Sequence, residues 1–123
     1  MINVCFMSSA PSQAPDLVTA HNTSSTSLVV RWSHVPKQYF QGKPIGYNII
    51  YYAVDLESDF KLVSVNYKTN ITTLANLAVY TMYVINVSAV SSGGVGPAKS
   101  TFAATGANTI LFLSCLVIGS LSS

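Results

Sequence analysis

Charge is scarce in this sequence. Six Lys or Arg stand against four Asp or Glu, so charged side chains make up 8% of its 123 residues, where a soluble domain has about 25%. The cations form no run and the net charge is only +2, which supplies neither the electrostatic footprint that nucleic acid requires nor a polybasic membrane patch. Cysteine is nearly absent too. Cys5 and Cys115 lie near opposite ends, make no zinc-type spacing and define no disulfide framework. Catalytic signatures are also missing: there is no Gly-x-Ser-x-Gly elbow, phosphate loop, dinucleotide fingerprint or His-Glu-x-x-His. His21 and His34 have no carboxylate or cysteine that spacing would pair with them. The acidic stretch Asp55-Leu56-Glu57-Ser58-Asp59 is not a calcium loop, because Phe60 stands where an EF-hand needs Gly and Asn66 where it needs Glu. It reads as a solvated loop. These absences predict a non-enzymatic chain with no metal, cofactor, nucleic acid or small-molecule substrate.

What remains is apolar and β-forming. Every charge falls between Asp16 and Lys99, so the middle of the chain reads as the folded domain and the two flanks as something else. Short runs of Val, Ile, Tyr and Thr alternate with Gly, Pro, Asn and Ser, and apolar residues recur at every second position. Alternation puts Leu28, Val30 and Trp32 on one face of a strand, Ile45, Tyr47, Ile49 and Tyr51 on another, and Tyr83, Ile85, Val87 and Ala89 on a third. Further strands are predicted at 17–20, 61–65, 71–74 and 98–103. Seven short strands at this spacing predict an all-β, antiparallel, two-sheet sandwich.

The order of particular residues resembles a known family over roughly Ala14 to Gly106. Pro15 precedes the first strand, Trp32 ends the second, and Gly46-Tyr47-x-Ile49-x-Tyr51 opens the third. Leu77-x-x-x-Thr81-x-Tyr83-x-Ile85-x-Val87-x-Ala89 follows, then Gly94-x-Gly96-Pro97. This pattern is similar to that of fibronectin type III domains. The resemblance implies a seven-stranded immunoglobulin-like β-sandwich with no cofactor. It also implies core roles for Trp32, Leu77 and Tyr83, the last two forming a tyrosine corner whose phenol bonds to backbone. Asn76 suits a left-handed turn residue. The Trp-Ser-x-Trp-Ser signature of the cytokine-receptor branch and the integrin-binding Arg-Gly-Asp tripeptide are both absent.

Three Asn-x-Ser/Thr tripeptides, at Asn22, Asn70 and Asn86, predict glycosylation, and a sugar coat would keep so weakly charged a surface soluble. The connection Ser33 to Pro44 carries Tyr39 and Phe40 between Lys37 and Lys43, at the pole where related folds place their binding loops. These two rings are candidate ligand anchors, or else they fold back over the open end of the core or touch a neighbouring domain. The partner loop Ser92 to Gly96 is Gly-rich and reads as flexible.

The flanks complete the division into residues 1–13, 14–106 and 107–123. The first, lacking a basic n-region and a long apolar core, reads as a linker or non-native start, and suggests a fragment of a larger protein or an incomplete gene model. The last contains the apolar run Ile110 to Leu121, short for a full span. Membrane association ranks ahead of a poor lipid-anchor signal or read-through sequence. The expected function is a protein-interaction and adhesion module at the extracellular face of a cell-surface protein, binding a protein ligand or neighbouring domains. The alternative is a passive structural spacer within a multidomain receptor or receptor-linked enzyme.

Overall fold

The computed structural model describes residues 9–106. Seven strands fill most of that span: β1 (Val18–Ser24), β2 (Ser27–Trp32), β3 (Pro44–Ala53), β4 (Lys61–Asn66), β5 (Ile71–Leu74), β6 (Met82–Ser91) and β7 (Gly94–Ala104). They form two sheets, ordered β1-β2-β5 and β4-β3-β6-β7, and every pairing is antiparallel. Side chains alternate across each strand, so one set from each sheet meets between the layers. Leu28, Val30 and Trp32 of β2 pack there with Tyr47 and Ile49 of β3, Leu74 of β5, and Ile85, Val87 and Ala89 of β6. Burying these side chains is the main favourable term in folding.

Two strands depart from the simple alternation. Ile45, expected inside, is 52% exposed, because a register shift between Pro44 and Gly46 turns the start of β3 over before the inward series begins at Tyr47. At Gly46 itself β4 comes so close that a Cβ would lie 1.8 Å from the Val65 carbonyl oxygen, so no side chain fits there. The last strand begins at Gly94, four residues before Ala98, the start expected from the sequence. Ser91 pairs with Gly94 and Val90 with Val95, which leaves Ser92 and Gly93 as a tight hairpin turn. The expected flexible loop is therefore mostly strand, because Val95 and its neighbours find ladder partners on β6.

The turn between β5 and β6 is fixed by Asn76, in left-handed backbone at φ 60°, by the Leu77 amide donating to the Thr26 carbonyl (2.9 Å), and by the Ala78 amide donating to the Tyr83 hydroxyl (2.9 Å). Thr105, fully buried, accepts from the Thr81 amide (3.0 Å) and donates its hydroxyl to the Ala78 carbonyl (2.5 Å). One end of the sandwich is thus closed by bonds from β7's exit.

The N-terminal flank corrects the expected boundary at Ala14. The Ser9 amide donates to the Gln41 carbonyl (3.0 Å) and the Ser12 amide to the Tyr39 carbonyl (2.9 Å), while the Ser91 hydroxyl donates to the Ser9 carbonyl (2.6 Å). Pro11 is buried, and a Cβ on Gly96 would sit 2.7 Å from its carbonyl oxygen. Ser9 to Ser12 are part of the packed domain. Cys5, Cys115 and the run Ile110 to Leu121 lie outside the described residues. Among the described residues no helix is long and apolar enough to cross a membrane.

Candidate functional site

Strand direction gathers the ends of β2, β4 and β6 and the starts of β1, β3 and β5 at one pole. Trp32 pairs with Val18 and Pro44 with Ser91, so the connections 33–43 and 67–70 and the 92–93 turn all lie there. Tyr47 builds this pole from inside. Its hydroxyl accepts from the Val35 amide (2.9 Å) and lies 3.5 Å from His34 Nδ1, which pins the start of the long connection to the core. Burial pushes the Tyr47 phenol above its ordinary pKa, since a buried phenolate loses hydration, and the Val35 bond opposes that rise.

Beyond Pro36 the chain makes a 3-10 turn at Lys37–Tyr39, and this turn decides the fate of the two rings. Phe40 is 1% exposed, with its ring edge-on to Tyr47 at 6.0 Å between centroids and 73° between planes. It is core, and the expectation that it anchors a ligand is corrected. The open end of a sandwich leaves apolar atoms uncovered, and a ring placed over them removes more apolar area from water than one held in solvent. Tyr39 is half-buried at the edge of the same core. Of the pair, only Tyr39 keeps part of its surface in solvent.

The pole offers a different surface. A shallow groove there is lined by His34, Val35, Pro36, Lys37, Phe40, Tyr67 and Lys68, with Lys68 Nζ 5.9 Å from the centre of the Tyr67 ring. Lys43 is exposed on the adjoining turn, where its amide donates to the Ser92 hydroxyl (3.2 Å). Asp55, Glu57 and Asp59 occupy the opposite pole, in the β3–β4 connection. There the exposed Lys61–Asp59 pair, at 3.7 Å, contributes little. Sequence reading missed the groove because Lys37 and Lys68 are 31 positions apart. The signal available was strand parity: the connections after β2 and β4 must fall at one end. No group of three or more His, Cys, Asp or Glu could hold a metal among the described residues.

The three sequons sit differently. Asn22, on edge strand β1, donates its Nδ2 to the Gly106 carbonyl at 3.4 Å. Asn70 is exposed just before β5, its backbone carbonyl accepting from the Trp32 amide (3.1 Å). Asn86 is half-buried in the middle of β6, where its Oδ1 accepts from the Ser100 hydroxyl. Of the core residues, Trp32 is 3% exposed and packs its ring 5.6 Å from that of Tyr47, and Leu77 and Tyr83 are buried.

Comparison with known proteins agrees with this architecture. The chain is 36% identical over 98 residues to a MAM and fibronectin type III domain-containing protein 1 of Acropora millepora, covering 77% of this chain and 23% of that protein. It is 35% identical over 101 residues to protein sidekick-1 of Gallus gallus, covering 81% of this chain and 5% of that one. With contactin-1 of Gallus gallus it shares 37% identity over 93 residues, covering 75% and 9%. The chain therefore spans less than a quarter of the length of these relatives. Among solved structures, the fn3 domain of human contactin 1 superposes with a TM-score of 0.67 at 31% identity, covering 87% of this chain and 92% of that one. The FN1–FN3 domains of chicken CNTN1 give 0.68 at 35% identity, covering 76% and 32%. The fibronectin type III family model matches residues 10–105, nearly the whole described sandwich, and the chain belongs to the fibronectin type III family.

Proposed function

We propose that this domain is a non-catalytic protein-interaction module of an extracellular adhesion or receptor protein, and that it meets its partner at the loop pole. Family membership and the relatives among sidekick and contactin proteins support the setting. The three sequons suit an extracellular, glycosylated life. The observation that carries the reading is the groove of His34, Lys37, Tyr67 and Lys68, which combines cations with an aromatic wall at the pole where the connections 33–43, 67–70 and 92–93 lie. An acidic loop of a protein partner fits it. Charges of this kind speed encounter and set specificity, while the ring and the apolar floor of Val35 and Pro36 supply contact area.

The spacer reading also has an observation in its favour. The chain enters beside the loop pole at Ser9 and leaves at the opposite end, where Ala104 pairs with Met82, so neighbouring domains would be held in line. One experiment separates the two. Cells are plated on the immobilised, secreted domain and on its Lys37→Glu/Lys68→Glu variant, and melting temperatures are measured for both. Loss of about tenfold or more in adhesion with an unchanged melt supports a binding site. Adhesion that is absent from both chains favours the spacer. Adhesion retained in full by the variant removes the groove from the interface. The run Ile110 to Leu121 belongs to the same proposal as a membrane-associating segment.

A further inference from the structure

The outer face of the four-stranded sheet is apolar at its centre and toward one end. Register places Tyr52 opposite Val84 and Val84 opposite Phe102, while Ile50 stands between Leu62 and Asn86. Phe60 continues the first of these rows beyond β4's first residue, and Phe60, Leu62 and Phe102 are each more than half exposed. Contiguous apolar surface on a monomer signals that something covers it. At its middle stands a polar exception. Asn86, of the sequon Asn86-Val87-Ser88, faces Ser100 on one side and Ile50 on the other, and shares a shallow depression with Ile50, Tyr52, Glu57 and Phe60. Its Oδ1 is taken by the Ser100 hydroxyl. Its Nδ2, the atom through which a glycan is joined, has no hydrogen-bond partner among the described residues, whereas the Nδ2 of Asn22 is engaged by Gly106.

We propose that Asn86 carries an N-linked glycan whose first sugars lie over Tyr52 and Phe60 and cover this apolar face. The inference rests on the extracellular reading above and adds which sequon is used and what the sugar does. Transfer joins Nδ2 to C1 of the sugar and breaks the C1–O bond to a lipid-linked pyrophosphate donor. The pyrophosphate departs and one amide proton is lost to a base. It takes place on the extended chain, before β3 and β7 flank Asn86. A pyranose has one face of C–H groups that packs on an aromatic ring and a rim of hydroxyls that faces water. It therefore removes the rings from solvent and hydrates a surface poor in charge. The attachment point lies within the patch, which ties this occupant to it and leaves the loop pole free for a protein.

The test uses the full chain routed through a secretory pathway behind a signal peptide. Peptide mass spectrometry reads occupancy at each sequon. Melting temperatures are compared for the glycoform trimmed to a single sugar and for Ser88→Ala, which destroys the sequon and keeps Asn86, each with and without Phe60→Ala. The same four chains made in bacteria give the intrinsic effect of each substitution. The expected result is an occupied Asn86, a glycan contribution of roughly 4 °C, and loss of at least half of it in the Phe60→Ala background. Occupied Asn70 with bare Asn86 overturns the inference and leaves the extracellular reading standing. A contribution that is absent, or unchanged by Phe60→Ala, overturns the stacking. Three bare sequons overturn the extracellular reading and this inference together. A dimer that Phe60→Ala dissociates assigns the face to a second copy instead.

Discussion

Two tyrosines hold two connections of this domain in the same way, and they differ in what surrounds them. Tyr83 accepts from the Ala78 amide and Tyr47 from the Val35 amide, so in each case a phenol reaches from a strand and satisfies a loop donor. Replacing either by Phe leaves that amide unpaired, and thermal melts should show a loss on the order of 1 to 3 kcal/mol. Tyr47 also carries a pH signature. Burial raises the Tyr47 pKa, so above pH ~10 the unfolded chain releases this proton before the folded one does. Stability is fully present below the unfolded value and is lost as pH climbs toward the folded value. Wild type should therefore show an alkaline decline that is shallower in Tyr47→Phe, as read by melting temperature against pH; equal slopes in the two chains would refute the account. The Tyr83 corner was legible in sequence because family spacing marks it. Tyr47 was read only as an inward strand residue, since its bond spans 12 positions to a loop of no fixed pattern.

At the scale of elements, strand existence followed from alternation, and strand ends did not. Parity of apolar residues identifies β2, β3 and β6 because a half-buried strand must obey it. It could not show that β7 starts at Gly94, since Gly94, Gly96 and Pro97 carry no alternating signal. Nor could it show that Ser9 to Ser12 pack on the domain, because those four residues are small, carry no alternating apolar pattern and make their bonds to Tyr39, Gln41 and Ser91. A chain beginning at Ala14 loses these bonds and uncovers Gly96. It should melt lower than the full chain by roughly 4 to 8 °C, the shift that corresponds to about 1 kcal/mol in a domain of this size. Proteolysis of the connection 37–43 should quicken in parallel, because that connection is what the segment restrains. An unchanged melt would return residues 9–13 to the linker.

On the scale of the whole molecule the charges are sorted by pole. Arg31, Lys37, Lys43 and Lys68 lie toward the loop pole with Asp16; Asp55, Glu57 and Asp59 lie at the other with Lys61; and Lys99 stands between them opposite Val87. A field with this polarity acts over about 8 to 10 Å in physiological salt. Binding to an acidic partner should weaken as salt is raised from 50 to 300 mM, mainly through a slower association rate, and the slope should flatten in Lys37→Glu/Lys68→Glu; salt-independent association would argue for an apolar interface. The amino-acid sequence by itself determined the fold class, the central Trp32, the turn at Asn76 and the scarcity of charge, because these depend on residue type and on spacings within one or two strands. Tertiary structure alone decided that Phe40 is buried, that Lys37 and Lys68 share a groove, that Asn86 stands in an apolar face and that Ser9 to Ser12 belong to the domain. Each of these joins residues from different strands or connections. Such neighbours are set by how the two sheets stack and close at their poles, and no local pattern records that.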